Sequence, residues 1–270
     1  MIDLVVFTVL WVSVSLLFEW IFHTLVHYGV YYYTATTQAV DGEHAVAFIL
    51  YVLAPVIAFV VLMLVYDLIR FRARKSDGVL RSRHQFRTNK LFIGIWVLIS
   101  IGLNLLFFVH PSASALEQMF NSEQARLNRQ DLEVDVVARQ WQWFFSYPQY
   151  GIDDAQDANG NSILYLPVNR NIKFVLRSYD PFHTYAPYSG VIHGFWIPAF
   201  GLKQDIIPGE TRYMYVHTSK VTSYNVNPMV RVQCTEVCGP GHPFMVAPVN
   251  VVSGNDFQQW VNQQKKMEGQ

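Results

Sequence analysis

Apolar residues fill three runs in the first part of the chain, over about 4–26, 45–68 and 91–109. As helices rising about 1.5 Å per residue, all three are long enough to cross a bilayer core of about 30 Å. The second run has Pro55 inside it. From about Pro111 onward the pattern changes, and Asp, Glu, Asn, Gln and Gly mix with apolar positions as in a folded aqueous domain. A short amphipathic stretch over 114–128 comes first. Segments over 132–145, 162–166, 172–178, 211–217, 229–233 and 248–253 then show the alternation or β-branched content of strands, with Gly, Pro, Asn or Asp between them. The pattern predicts a membrane-anchored, all-β protein. Its parts are a helix over 1–28, a helical hairpin over 45–110, and an outer domain over 111–270 of Greek-key β-sandwich or small-barrel type.

Charge sets the expected orientation. Arg70, Arg72, Arg74, Lys75, Arg81, Arg83, Arg87 and Lys90 crowd the connection between the second and third runs, which marks that loop as cytoplasmic. The first connection, 28–44, has no Lys or Arg. It is therefore expected outside, with the N-terminus inside and the polar domain outside. The start Met1-Ile2-Asp3 is not the basic leader of a signal peptide, and no small-residue cleavage site follows a short apolar core. The first run is read as a retained helix.

The formal net charge is zero, yet the outer domain has twelve basic against fourteen acidic residues. That mild acidity, without a basic stripe, excludes nucleic acid as a partner. Asp153, Asp154 and Asp157 are read as a solvated turn. Glu19, His23 and His27 share one face near the outer end of the first helix, at i, i+4 and i+8. Their proximity to the interface favours mutual pairing or subunit contact over a proton or quinone role.

The densest chemistry lies in C-T-E-V-C-G-P-G-H-P-F-M, from Cys234 to Met245. Two thiols with three residues between them, a histidine and a thioether suit a soft, redox-active ion such as copper and exclude hard cations. The alternative for Cys234 and Cys238 is a disulfide in an oxidising compartment; His242 and Met245 behind them favour ligation. A further histidine, His193, opens the segment H-G-F-W-I-P-A-F-G-L-K-Q-D-I-I-P-G-E. Loops cluster at the ends of a sandwich, so His193 and the cysteine loop can converge there.

At these motifs the chain resembles subunit II of the haem-copper respiratory oxidases, from the second apolar run to about Ser253. The first run is additional to the usual two-helix pattern. The resemblance implies an external cupredoxin domain holding a dinuclear copper centre, copper A. It implies Cys234 and Cys238 as bridging thiolates, His193, His242 and Met245 as side-chain ligands, and the Glu236 backbone carbonyl as the remaining ligand. It also places Glu236, Lys203 and Asp205 near the boundary with subunit I, where Glu236 contributes to a magnesium or manganese site. The expected setting is a prokaryotic cell membrane. Expected partners are subunit I, further oxidase subunits, the lipid bilayer and an external donor such as a cytochrome c or a blue-copper protein. Ligands that enclose the metals leave no open position for substrate, so the domain is read as an electron relay, with oxygen chemistry in subunit I.

In Q-W-Q-W-F-F-S-Y-P-Q-Y, from Gln140 to Tyr150, the resemblance makes Trp141 the electron-input residue. Strand alternation puts Trp141 and Trp143 on one face, which also fits a run that fills a core. Gln142 stands where cytochrome c oxidases have tyrosine, and the following F-F-S-Y-P-Q-Y-G resembles the quinol oxidases. Every copper ligand is nevertheless present, so the departure bears on which donor is used. The carboxylate that many relatives carry before the last helix is missing from Arg87-Thr88-Asn89-Lys90-Leu91. Two other functions share some of these features: a copper A nitric oxide reductase subunit, and a tethered cupredoxin with a single copper, for which one cysteine suffices.

Overall fold

The computed structural model describes residues 2–28, 33–70, 72, 89–109, 131–179, 190–267 and 269. The stretch at 114–128 and most of the basic connection, including Arg74, Lys75, Arg81, Arg83 and Arg87, lie outside the described residues. The chain divides into two compact units, residues 1–31 with 44–120, and residues 32–43 with 121–270.

In the first unit α1 (Ile2–His27), α2 (Thr37–Arg70, which begins in the second unit) and α3 (Lys90–Phe107) are long and apolar enough to cross a membrane. α1 packs along α2. Phe7 meets Phe59 and Tyr66 edge-on, and the Trp11 indole donates to the Pro55 carbonyl at 2.8 Å. At one end Asp3 accepts from Tyr66 and Arg70, both at 2.9 Å; at the other His23 Nδ1 lies 3.2 Å from the Tyr51 hydroxyl. His27 stacks on His23 with ring centroids 6.2 Å apart. Such polar contacts between apolar helices fix rotational register where hydrophobicity cannot.

The second unit is a β-sandwich. One sheet has the order β2-β1-β4-β7, from β1 (Leu132–Arg139), β2 (Gln142–Ser146), β4 (Asn171–Ser178) and β7 (Arg212–His217). The other runs β3-β10-β9-β5-β6, from β3 (Leu164–Pro167), β5 (His193–Ile197), β6 (Leu202–Ile206), β9 (Arg231–Cys234) and β10 (Val246–Val252); β8 (Thr222–Ser223) also pairs with β10. Pairs β1–β4 and β3–β10 are parallel and the rest antiparallel. Period-two alternation turns Val134, Val136 and Ala138 of β1, Phe174 and Leu176 of β4, and Val249 and Val251 of β10 into one fully buried core.

Three features differ from the pattern read along the chain. The segment 132–145 is two strands joined by a hairpin at Gln140 and Trp141, so Trp143 is buried while Trp141 is 41% exposed and off the strand face. α2 begins at Thr37, eight residues before the apolar run, because Thr36 caps it: Ala39 N donates to Thr36 Oγ1 at 3.1 Å. A C-terminal helix, α4 (Gly254–Met267), follows the last strand and lays Phe257, Trp260, Val261 and Gln264 on the sandwich.

Residues 33–43, expected as loop, belong with the sandwich. Ala35 donates to the Ala199 carbonyl at 2.8 Å and accepts from Ser219 N at 2.9 Å. Buried Thr36 donates to the Phe200 carbonyl at 2.8 Å and bridges Thr218. Gln38 accepts from His217 N, and the Tyr33 hydroxyl lies 2.7 Å from that of Thr222. This arm secures the turn Pro198–Phe200, which directly follows the strand that begins at His193.

Candidate metal centre

Five side-chain donors come together at one end of the sandwich, from the start of one strand and from one loop. β5 begins at His193, and β9 ends at Cys234 where the chain leaves the sheet. The register Phe195↔Cys234 sets them side by side. The loop then turns through a short 3-10 segment, His242–Phe244, and returns as β10, so Cys238, His242 and Met245 come back over Cys234. Cys234 N donates to the Met245 carbonyl at 3.2 Å, which closes the loop at its base.

The donor atoms form a continuous chain. Cys234 Sγ lies 3.7 Å from His193 Nδ1 and 3.8 Å from Cys238 Sγ. Cys238 Sγ lies 3.6 Å from His242 Nδ1 and 3.9 Å from Met245 Sδ. The Cys234 thiol also points at the Glu236 carbonyl oxygen, 3.2 Å away. Ligand atoms of His193, Cys234 and Cys238 all lie within 4.8 Å of one another. Both cysteines are free, and their separation is far beyond the 2.05 Å of a disulfide.

Burial holds His193 and Cys238 in their neutral forms. His193 is lowered to about 4, first by desolvation and then by the neighbouring His242. Cys238 is pushed up to about 12 by burial and then by Cys234. A neutral imidazole is ready to ligate, whereas a thiol must lose its proton, so metal binding here is coupled to proton release. Two thiols, two imidazoles, a thioether and a single carbonyl fit soft metal ions, whereas Mg and Ca need a set built from oxygen.

The aromatics surround this loop differently. Trp143 lies beneath it: its indole donates to the Met245 carbonyl at 3.2 Å, and its ring is tilted against His193 at 6.3 Å between centroids. Trp141 lies over it, at the hairpin. Its Nε1 donates to the Cys238 carbonyl at 3.1 Å, and Gln140 Nε2 donates to the same oxygen at 2.6 Å. Gly241 makes room for the indole, since a Cβ there would meet ring atoms at 2.3–2.6 Å. Gln140 and Gly241 escape a reading of the sequence because their role depends on the hairpin that folds them onto the loop. Lys203 and Asp205 stand exposed on β6, opposite Trp196 and Gly194 of the strand bearing His193. They do not touch the donor set.

The fold and site define a membrane-anchored cupredoxin-like domain with a soft-metal loop. Comparison with known proteins gives the family. Residues 132–252, from β1 to the end of β10, match the profile described as cytochrome C oxidase subunit II, periplasmic domain. The chain is 28% identical to a probable cytochrome c oxidase subunit 2 of Rickettsia bellii, over 82% of this chain and 78% of that one. It is 30% identical to cytochrome c oxidase subunit 2 of Bacillus subtilis, over 74% of this chain and 52% of that one. The solved periplasmic domain of subunit II of cytochrome oxidase (CoxB) of Bradyrhizobium japonicum is 29% identical, with TM-score 0.42, and covers 52% of this chain and 96% of its own. The domain over residues 132–252 is that of the cytochrome c oxidase subunit II family, and the curated relatives that the chain resembles are subunits of an oxidoreductase complex.

Proposed function

We propose that this chain is the electron-input subunit of its oxidase, passing single electrons from an external carrier through a dinuclear copper A centre to haem in subunit I. Oxygen is reduced to water there, outside this chain. The observation that carries the reading is the unbroken run of donors from His193 through Cys234 and Cys238 to His242 and Met245, with adjacent atoms no more than 3.9 Å apart. Copper held there would supply one-electron redox chemistry. The chain's own residues do the remaining work. His193 and His242 would hold copper through Nδ1, the two cysteines would give up their protons on loading, and Glu236 would offer its carbonyl. The buried sandwich end excludes water and keeps the ligands in place, so that little rearrangement accompanies a change of charge.

Trp141 is the input residue in this reading. It is the exposed aromatic bonded directly to the ligand loop, and the donor docks over it. Glu236 faces subunit I and shares magnesium or manganese with it, with Lys203 and Asp205 nearby. The three helices span the membrane with the N-terminus cytoplasmic and the copper domain outside.

Changing Cys238 tests the dinuclear centre against a single-copper cupredoxin. In the full chain in detergent, Cys238→Ser is expected to abolish the two-copper stoichiometry and its visible spectrum. Retention of one copper with an unchanged spectrum would establish the mononuclear site instead. The matched relatives are cytochrome c oxidases, and no observation favours the nitric oxide reductase.

A further inference from the structure

β5 and β9 pair only briefly before the ligand loop departs, through Phe195↔Cys234 and Trp196↔Gln233. One residue further, Thr235 N donates to the Gly194 carbonyl at 3.1 Å. That bond is the last backbone link between the strand of His193 and the loop. The two residues it joins each follow a metal-ligand candidate directly: Gly194 comes after His193, and Thr235 after Cys234.

The side chains at this point interlock. A Cβ on Gly194 would sit 2.0 Å from Thr235 Oγ1, 3.1 Å from its Cβ and 3.2 Å from its backbone nitrogen. The threonine hydroxyl thus fills the space that a side chain at 194 would need. Thr235 Oγ1 is buried and has no hydrogen-bond partner among the described residues. Leaving a buried hydroxyl without a partner is unfavourable, so polarity does not explain its placement. Shape does. With its β-carbon branched, threonine has few rotamers, and this one wedges the hydroxyl against glycine on the outer face of the sheet. Pushing Thr235 away would move the short backbone between Cys234 Sγ and the Glu236 carbonyl, which now lie 3.2 Å apart.

We propose that Thr235 seated on Gly194 is a positioning contact that sets the ligand loop against the strand of His193, and so fixes the spacing of the donors on its two sides. Neither residue donates to the metals. The proposal rests on the dinuclear reading, and it adds that a side chain at position 194 acts on the copper centre through Thr235.

The test uses the full chain in detergent, loaded with copper, with electron paramagnetic resonance and chelator competition as readouts and thermal melting of the metal-free chain as the control for folding. Gly194→Ala is expected to change the copper hyperfine pattern and weaken copper retention about tenfold, as loss of supporting contacts around a site does. Gly194→Ala combined with Thr235→Gly should recover the wild-type pattern, because the alanine methyl then takes the space that the threonine side chain leaves. Thr235→Val, which keeps the branched shape without the hydroxyl, should match wild type. An unchanged spectrum in Gly194→Ala, or a double variant no better than the single, overturns the proposal. If Gly194→Ala does not fold, Thr235→Gly alone decides: a spectrum identical to wild type overturns the positioning role, and a broadened one supports it. A wild-type chain that lacks a two-copper spectrum overturns the dinuclear reading itself.

Discussion

Trp141 and Cys238 are joined by a hydrogen bond, 3.1 Å from the indole Nε1 to the cysteine carbonyl oxygen. An exposed ring is thereby tied to the peptide of a buried thiol. Trp141→Phe keeps an aromatic surface and loses the donor. It is expected to slow electron input from a protein donor by at least about tenfold, roughly 1.4 kcal/mol of activation free energy, while the copper spectrum keeps its form. Stopped-flow reduction of the assembled oxidase measures this. An unchanged rate would remove Trp141 from the path.

Gly241 acts on the same ring from below. Gly241→Ala puts a methyl where the indole lies and must displace it. The expected result is a loss of input rate comparable to that of Trp141→Phe, with copper content unchanged. Equal rates in Gly241→Ala and wild type would show that the seat of the ring on the loop is unimportant.

The pH dependence of the metal-free chain follows from two shifts. His193 is lowered from 6.5 to about 4, so the unfolded chain binds more protons between those values. Its contribution to stability is complete above about pH 6.5 and is lost as pH falls toward 4. Cys238 is raised from 9.0 to about 12, so its contribution is complete below about pH 9 and is lost as pH rises toward 12. Melting temperature of the metal-free protein should therefore form a plateau between these limits. Copper should flatten the alkaline side, since the bound thiolates have already given up their protons. Stability that rises steadily from pH 9 to 11 without metal would contradict this account.

Thr36 ties the arm ahead of α2 to the sandwich through its bond to the Phe200 carbonyl and its cap on Ala39 N. Thr36→Ala leaves a buried carbonyl without that partner and is expected to destabilise the outer unit by about 1–3 kcal/mol. Thr36→Ser should recover most of the loss. A fragment that begins after the third helix lacks the arm, and its melting temperature should lie below that of the full chain's outer unit. Differential scanning calorimetry reads both, and equal transitions would show that the arm contributes nothing.

Much of this architecture is legible along the chain, for physical reasons that also explain what is not. The three apolar runs announce themselves because a helix in hydrocarbon must be apolar all round. The copper loop is legible because four donors fall within twelve residues. His193, forty-one residues before Cys234, gains its meaning only from the resemblance and from the strand pairing that brings the two together. Strand alternation misplaced Trp141, because a hairpin interrupts the strand between Arg139 and Gln142. The helix α4 carries few apolar residues, yet Phe257, Trp260, Val261 and Gln264 follow helical spacing, and Ser253 caps it by accepting from Asp256 N at 3.2 Å. The arm at 33–43 has no such signature. Its role is written in backbone bonds of Ala35 to Ala199 and Ser219 and in the Thr36 hydroxyl's bond to the Phe200 carbonyl, which no local pattern encodes.

The most direct test of the central claim is copper content with an electron paramagnetic resonance spectrum on the full chain, purified in detergent and loaded with copper. Two coppers per chain sharing one unpaired electron across both nuclei is the predicted result. One copper with the spectrum of a single localised ion would contradict it and leave a tethered single-copper cupredoxin in its place.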